Sequence, residues 1–177
     1  MAKSFLCTVS LLLEKPLSIK VACGDNHPGD LQFFTKKWNI IEQFNQYPDK
    51  ELFHYASTVI KGAVFRIKWH KTGIFHAYLD DVHYAVININ QGVTVTLAGN
   101  GEVYEMIGKG GSLFMNLRYY LQNTAGKCLL KTKVSLLRLR LKITSEKPAA
   151  DTTFYCLLYI NIFLANLFFR MMNNAAA

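Results

Sequence analysis

The sequence predicts one α+β domain. It has an antiparallel β-meander packed with two helices from the N-terminal half, one mid-chain helix and an apolar C-terminal helix. Three observations lead to this prediction. Apolar residues make up 51% of the 177 residues and charged residues only 18%, which suits one buried core and excludes a disordered chain. Alternating apolar runs fill residues 63–107, and helical spacings flank them. We place the domain at residues 1–174 and treat residues 175–177 as a cloning remnant or a disordered tail.

The opening apolar run is predicted to be a strand. Phe5, Cys7 and Val9 fall on one face when the run is given a period of two. The alternative is a targeting segment, because Lys3 precedes the run. No small-residue cleavage site follows it before Pro16, so we favour the strand.

Two helices are expected next. Asp30 is the predicted N-cap of the first, which ends before Pro48. Asp49 is the predicted N-cap of the second, which ends at Gly62. Their apolar positions recur at three- and four-residue steps: Leu31, Phe34, Trp38 and Ile41 in the first helix, and Leu52, Ala56, Val59 and Ile60 in the second.

The middle of the chain is predicted to be a β-meander. Residues 93–97 alternate cleanly, and Gly99-Asn100-Gly101 is typical of a hairpin tip. Ser112 can then cap a mid-chain helix that ends near Gly126, with Leu113, Leu117 and Leu121 one turn apart. Residues 127–144 are expected to form one long strand.

An uncharged segment covers residues 152–169, and Asp151 is its predicted N-cap. A core helix, a tail anchor over residues 154–169 and a pair of strands all fit this length. Two asparagines, Asn161 and Asn166, would lack partners in a lone anchor, so we favour a core helix or a self-association surface. The residues predicted for self-association are Phe154, Leu158, Leu164 and Phe168.

Basic charge is concentrated in one part of the chain. No Asp or Glu occurs between Met106 and Ser145, a span with eight basic residues that equal the formal net charge of +8. Such a field predicts an anionic partner. The eight residues are Lys109, Arg118, Lys127, Lys131, Lys133, Arg138, Arg140 and Lys142.

The alternation in residues 137–143 sharpens this prediction. A strand there places Arg138, Arg140 and Lys142 on one face, and a bulge near residues 136–137 would bring Lys131 and Lys133 to the same side. A solvated edge strand is the simpler alternative. Leucines rather than aromatic residues alternate with the basic ones, which favours anionic lipid over nucleic acid. The predicted binding residues are Lys127, Lys131, Lys133, Arg138, Arg140, Lys142 and Arg118.

Little in the sequence points to catalysis. His76, Asp80, Asp81 and His83 could ligate a metal ion, but a turn between two strands explains them more simply. The four cysteines have no paired spacing, which is typical of buried thiols in a reducing compartment, and two long-range disulfides are the alternative. We therefore predict no catalytic residues, no metal ion, no cofactor, no small-molecule substrate and no enzymatic activity.

The order of predicted elements resembles that of rhabdovirus matrix proteins, as does the opening strand Phe5-Leu6-Cys7-Thr8-Val9-Ser10-Leu11 with Pro16 after it. The size is similar to that of the short matrix proteins of plant cytorhabdoviruses of the lettuce necrotic yellows type. The resemblance implies a structural protein of the virion and host cytoplasm that self-associates. The chain lacks the Lys-rich N-terminal arm and the PPxY and PTAP motifs of animal-virus members, so residues 127–142 would have to bind the membrane.

Three functional hypotheses follow. The leading one is a viral matrix protein that self-assembles and bridges an anionic membrane to nucleocapsid. The alternative is an RNA-binding viral protein of the silencing-suppressor type, which would use the same basic strand on phosphates. The third is a tail-anchored membrane protein.

Overall fold

The computed structural model describes residues 5–10, 18–22, 39–41, 55–109, 116–135, 140–145 and 151–175. These residues form twelve strands and one helix. The strands are β1 Phe5–Ser10, β2 Ser18–Ala22, β3 Asn39–Ile41, β4 Tyr55–Ile60, β5 Ala63–Lys71, β6 Ile74–Leu79, β7 Val82–Asn88, β8 Val93–Leu97, β9 Val103–Lys109, β10 Asn116–Asn123, β11 Cys128–Ser135 and β12 Arg140–Ser145, and the helix is α1 Thr152–Ala175.

All twelve strands belong to one antiparallel sheet. Its order is β2-β1-β12-β11-β10-β9-β8-β7-β6-β5-β4-β3. From β3 to β12 each strand pairs with its neighbour along the chain, while β1 pairs with both β2 and β12. The meander predicted over residues 63–107 corresponds to β5 through β9.

One face of the sheet is buried. On β5, Phe65 and Ile67 are fully buried, and on β11 the buried Thr132 lies between the exposed Lys131 and Lys133. Successive side chains of a strand point to opposite faces, so this alternation separates an apolar inner face from a polar outer face.

Helix α1 fills the space inside the sheet. Residues 154–165 are all buried without interruption. With 3.6 residues per turn, an unbroken buried run covers every side of a helix. The sheet therefore curves around α1. The described part of the chain contains no helix long and apolar enough to cross a membrane.

One aromatic contact and one hydrogen bond show which strands lie on each side of α1. Phe163 packs edge-to-face on Phe75 of β6, with ring centroids 5.3 Å apart. The Asn161 Nδ2 donates a hydrogen bond of 2.7 Å to the Thr132 Oγ1 of β11. Two residues along a helix rotate about 200° around its axis. Strands β6 and β11 consequently lie on opposite sides of α1.

The start of α1 has the predicted cap. The Asp151 Oδ1 accepts a hydrogen bond of 2.7 Å from the Phe154 backbone N–H. This bond satisfies one of the N–H groups that the first turn of a helix leaves without an intrahelical partner.

The multi-helix α+β arrangement predicted from the sequence is wrong. The first predicted helix contains β3, the second contains β4 and the mid-chain helix contains β10, while residues 31–38, 42–54 and 110–115 lie outside the described residues. Runs of β-branched residues explain β3 and β4, because such side chains favour extended backbone. In β10, Leu117 and Leu121 are four apart, a spacing that places residues on one side of a strand as well as of a helix.

The single long strand predicted over residues 127–144 is also wrong. The segment forms two strands, β11 and β12, that run antiparallel with Lys133 opposite Lys142. The residues between them, 136–139, lie outside the described part, as does the predicted bulge. Residues 127–144 contain no Gly, Pro, Asn or Asp and a single serine, Ser135, so the sequence gives only a weak signal for the reversal of the chain between β11 and β12.

The buried Asn161–Thr132 pair yields a stability prediction. Asn161 is fully buried, and its Oδ1 accepts no hydrogen bond from any described residue. Thr132→Val removes the acceptor of its amide and is expected to lower the free energy of unfolding by about 1–3 kcal/mol. Thr132→Val/Asn161→Leu should regain most of this loss, because no buried amide then lacks a partner. Urea unfolding of both variants checks this, and a neutral single variant would contradict it.

Candidate anion-binding surface

Four basic residues lie side by side across four neighbouring strands. Lys109 of β9 pairs with Arg118 of β10, Arg118 pairs with Lys133 of β11, and Lys133 pairs with Lys142 of β12. All four are exposed. Neighbouring strands are about 4.8 Å apart, so the set spans about 14 Å. We call these four residues the basic row.

The residues that flank the basic row along β11 and β12 place it on the outer face. Thr132 and Val134 are buried on either side of Lys133, and Leu141 and Ile143 are buried on either side of Lys142. The same register continues from Lys142 to Thr8 on β1 and then to Lys20 on β2.

A second set of outer-face residues adjoins the basic row. Lys131 is exposed and pairs with Tyr120, which in turn pairs with Ile107. The Lys109 Nζ lies 5.4 Å above the Tyr120 ring, within the range of a cation–π contact. Ile107 exposes 38% of its surface. An aliphatic side chain and a tyrosine thus border the positive charges.

The basic row carries an electrostatic cost. Like charges directly opposite each other on paired strands are destabilising. Within the described residues, no acidic side chain forms an ion pair with Arg118, Lys133 or Lys142. The acidic residue of β9, Glu105, lies in a different register and pairs with Gln122. The positive potential of the basic row therefore remains available to an external anion.

The structure brings together part of the predicted binding set. Arg118, Lys133 and Lys142 belong to the basic row, Lys131 adjoins it, and Lys127 is exposed in the turn between β10 and β11. In the backbone ladder Arg140 pairs with Ser135, and Arg138 lies outside the described residues.

Lys109 was not among the predicted binding residues. Its position in the acid-free span was the only signal, because its alignment depends on the strand register.

The residues predicted for self-association lie in or against the core. Phe154, Leu158 and Leu164 are buried, and Phe168 is partly buried with its ring stacked on Tyr119. These side chains pack inside the sheet of their own chain and do not form an external surface.

Three histidines cluster on the outer face of β5, β6 and β7. The ring centroids of His70 and His76 are 4.3 Å apart, and those of His76 and His83 are 4.9 Å apart. The sequence singled out His76 and His83 but missed His70, which lies where the β5–β6 register shifts between Trp69 and Lys71. No group of described His, Cys, Asp or Glu side chains has an arrangement that could hold a metal ion.

The two aspartates of the candidate metal set form the turn between β6 and β7. Asp80 and Asp81 have φ angles of 48° and 65°, in the left-handed region. The Asp80 Oδ1 accepts a hydrogen bond of 2.7 Å from the Val64 N–H, and Asp81 forms an ion pair with Arg66. Their roles are therefore structural, as the simpler interpretation of the sequence predicts.

Cys156 of α1 is a buried free thiol, and burial raises its pKa to about 12. At neutral pH that thiol is protonated and therefore a weak nucleophile.

The histidine cluster predicts how stability depends on pH. Burial, and then the charges of His70 and His83, lower the pKa of His76 below its ordinary value of 6.5. The unfolded chain thus binds a proton at higher pH than the folded chain does, and stability falls as the pH drops through 6.5 toward the lower folded value. We expect His76→Gln to lose less thermal stability than the parent between pH values of about 7.5 and 5.5. An identical pH dependence of the two melting temperatures would contradict this.

Comparisons with known proteins identify no relative. No family model, no curated protein and no solved structure matches the chain. The resemblance to rhabdovirus matrix proteins relied on an order of elements that includes a helix pair, and β3 and β4 occupy those positions. That resemblance stays a prediction without support from the fold.

Proposed function

We propose that this chain is a binding protein that attaches to anionic membrane surfaces through the basic row. The observation that carries this proposal is the alignment of Lys109, Arg118, Lys133 and Lys142 across four paired strands. The row is solvent-exposed and holds its charges at an electrostatic cost, and binding to an anionic surface would relieve that cost.

The residues around the basic row favour lipid over nucleic acid. Tyrosine is enriched where an apolar and an aqueous phase meet, and Tyr120 and the exposed Ile107 could contact the interfacial region of a bilayer. Proteins that bind single strands stack bases on accessible aromatic rings. Among the basic row and the described outer-face residues beside it, Tyr120 is the one aromatic side chain, so successive bases have no series of rings on which to stack. Each basic residue near an anionic leaflet contributes about 1 kcal/mol, so four provide about 4 kcal/mol.

The proposal is narrower than the matrix-protein hypothesis. A matrix protein would also need an association surface and a nucleocapsid contact. The residues predicted for association pack in or against the core. Membrane attachment is the component that the described outer face supports, while the virion location and the nucleocapsid partner remain predictions.

Neutralising the centre of the basic row tests the proposal. Arg118→Gln/Lys133→Gln removes two charges, and we expect binding to phosphatidylserine-containing vesicles to weaken by about 2 kcal/mol, or about thirtyfold. Co-sedimentation at neutral pH over a salt series measures the effect, with phosphatidylcholine vesicles as the neutral comparison. Binding by the parent should fall as salt rises, because salt screens exposed charges.

Lys68→Gln/Lys71→Gln is the matched control. Both lysines are exposed on β5, and their loss changes the net charge by the same amount. This control should bind like the parent at neutral pH. Equal binding by all three proteins would contradict the proposal. RNA binding without vesicle binding would favour the alternative of an RNA-binding protein.

A further inference from the structure

The three histidines belong to a surface that points away from the basic row. Lys68 and Lys71 of β5 are exposed on the same strand as His70, and Lys68 pairs with His76. We call His70, His76, His83, Lys68 and Lys71 the histidine face. The centre of this face is β6, which lies on the other side of α1 from β11, the strand that carries Lys133.

Further contacts with α1 support this opposite placement. Tyr159 packs on Phe65 of β5 with centroids 5.6 Å apart, and its position is about 40° around the axis from Phe163. Phe168 stacks on Tyr119 of β10, and its position is about 20° from Asn161. The outer faces of β5–β6 and β10–β11 therefore point in opposite directions.

The charges around the histidine face are partly compensated at neutral pH. Arg66 is paired with Asp81, Asp80 accepts the Val64 N–H, and the Lys68 Nζ lies 5.4 Å above the Tyr78 ring.

The strands on either side of the histidine face add no ionised group. In the ladder, Tyr55 and Ser57 of β4 are opposite Lys68 and Arg66. On the other side, Val86 and Asn88 of β7 pair with Thr96 and Thr94 of β8, respectively. Imidazole is the side chain that ordinarily changes its charge between pH values of about 8 and 5, so acidification adds positive charge to this face mainly through its histidines. Because burial and the two neighbouring histidines lower the pKa of His76, it gains its proton at a lower pH than an ordinary imidazole does.

We propose that the histidine face becomes a second anionic-membrane-binding face on mild acidification, so that one chain then bridges two anionic membranes. Bridging rests on the proposed function of the basic row, whereas acid-dependent binding by the histidine face does not. Clustered imidazolium groups repel one another, and an anionic surface offsets that repulsion. Membrane binding and proton binding therefore strengthen each other, as linkage requires.

Acid-dependent binding is tested in the full chain that carries Arg118→Gln/Lys133→Gln. Its binding to phosphatidylserine-containing vesicles should be at least about tenfold tighter at about pH 5.5 than at about pH 7.5, since each added charge contributes about fivefold. Adding His70→Asn/His76→Asn/His83→Asn should abolish this gain. Tyr78→Phe, which alters a ring in contact with His76 and His83, should retain it. Thermal unfolding at about pH 7.5 checks that each variant is folded.

Vesicle clustering tests bridging by the parent chain. Light scattering should rise at about pH 5.5 but not at about pH 7.5, and either the row variant or the histidine variant should reduce the rise. Clustering or acid-enhanced binding that persists in the histidine variant would overturn the proposal. So would acid-enhanced binding to RNA but not to vesicles. A third outcome is possible, in which the histidine face binds vesicles more tightly on acidification but the parent does not bind vesicles at neutral pH. That outcome would overturn only the proposed function and the bridging that depends on it.

Discussion

A chain that ends after residue 150 is expected not to fold, because it lacks α1. The inner face of the sheet would then expose side chains such as Phe65, Phe75 and Ile87, all of which are buried against the core. Each large apolar side chain contributes about 1.5–3 kcal/mol when buried, so exposing about five to ten of them removes the whole stability of a typical domain, about 5–15 kcal/mol. Circular dichroism should show no cooperative unfolding transition, and limited proteolysis should degrade the fragment rapidly.

This deletion separates two hypotheses for the C-terminal segment. A tail anchor would leave a soluble, folded domain after its removal, whereas a core helix would not. A matched deletion that ends at Ala175 retains the whole of α1 and should unfold like the parent. A truncated chain that ends after residue 150 and still unfolds cooperatively would contradict the central role of α1.

Phe163→Ala is expected to destabilise the protein by about 3–5 kcal/mol. Phe163 is 1% exposed, and its ring meets Phe75 edge-to-face with centroids 5.3 Å apart. Truncation to alanine removes apolar contacts and leaves a cavity between α1 and β6, and the surrounding strands are paired on both sides and can collapse little. Chemical unfolding followed by tyrosine and tryptophan fluorescence measures the loss.

Val82→Ala is the control for this substitution. Val82 is 69% exposed, so its truncation should change the free energy of unfolding by no more than about 0.5 kcal/mol. Phe163→Leu should fall between the two because it retains most of the apolar volume. Similar losses for Phe163→Ala and Val82→Ala would contradict the packing described for α1.

Local periodicity predicted the fold correctly where the spacing of apolar residues fits a strand but not a helix. The alternation in residues 63–107 suits only a strand, and that region forms β5 through β9. In β10, Leu117 and Leu121 share a face in either conformation, and only the half-buried Tyr119 between them favours the strand. The sequence of β10 therefore does indicate a strand, through Tyr119. The helix prediction used only the four-residue spacing of the leucines and so missed this indication.

Non-local pairing accounts for most of what the sequence could not show. The concentration of basic residues is visible in the sequence, but the alignment of Lys109 with Arg118 and Lys133 depends on the register of three strands. Likewise, His70 lies where the β5–β6 register shifts between Trp69 and Lys71, and this non-local placement brings its ring to His76. A one-residue slip of either register would send these side chains to the other face of the sheet.

The position of α1 after all twelve strands has a consequence for synthesis on the ribosome. The inner face of the sheet is made before the helix that covers it, and β1 must wait for β12, since Phe5 pairs with Ser145. Pairing over such a sequence distance is slow, and uncovered apolar strands aggregate readily. We therefore expect folding to be completed late in translation or after it, once residues 152–175 have emerged and can cover the inner face of the sheet.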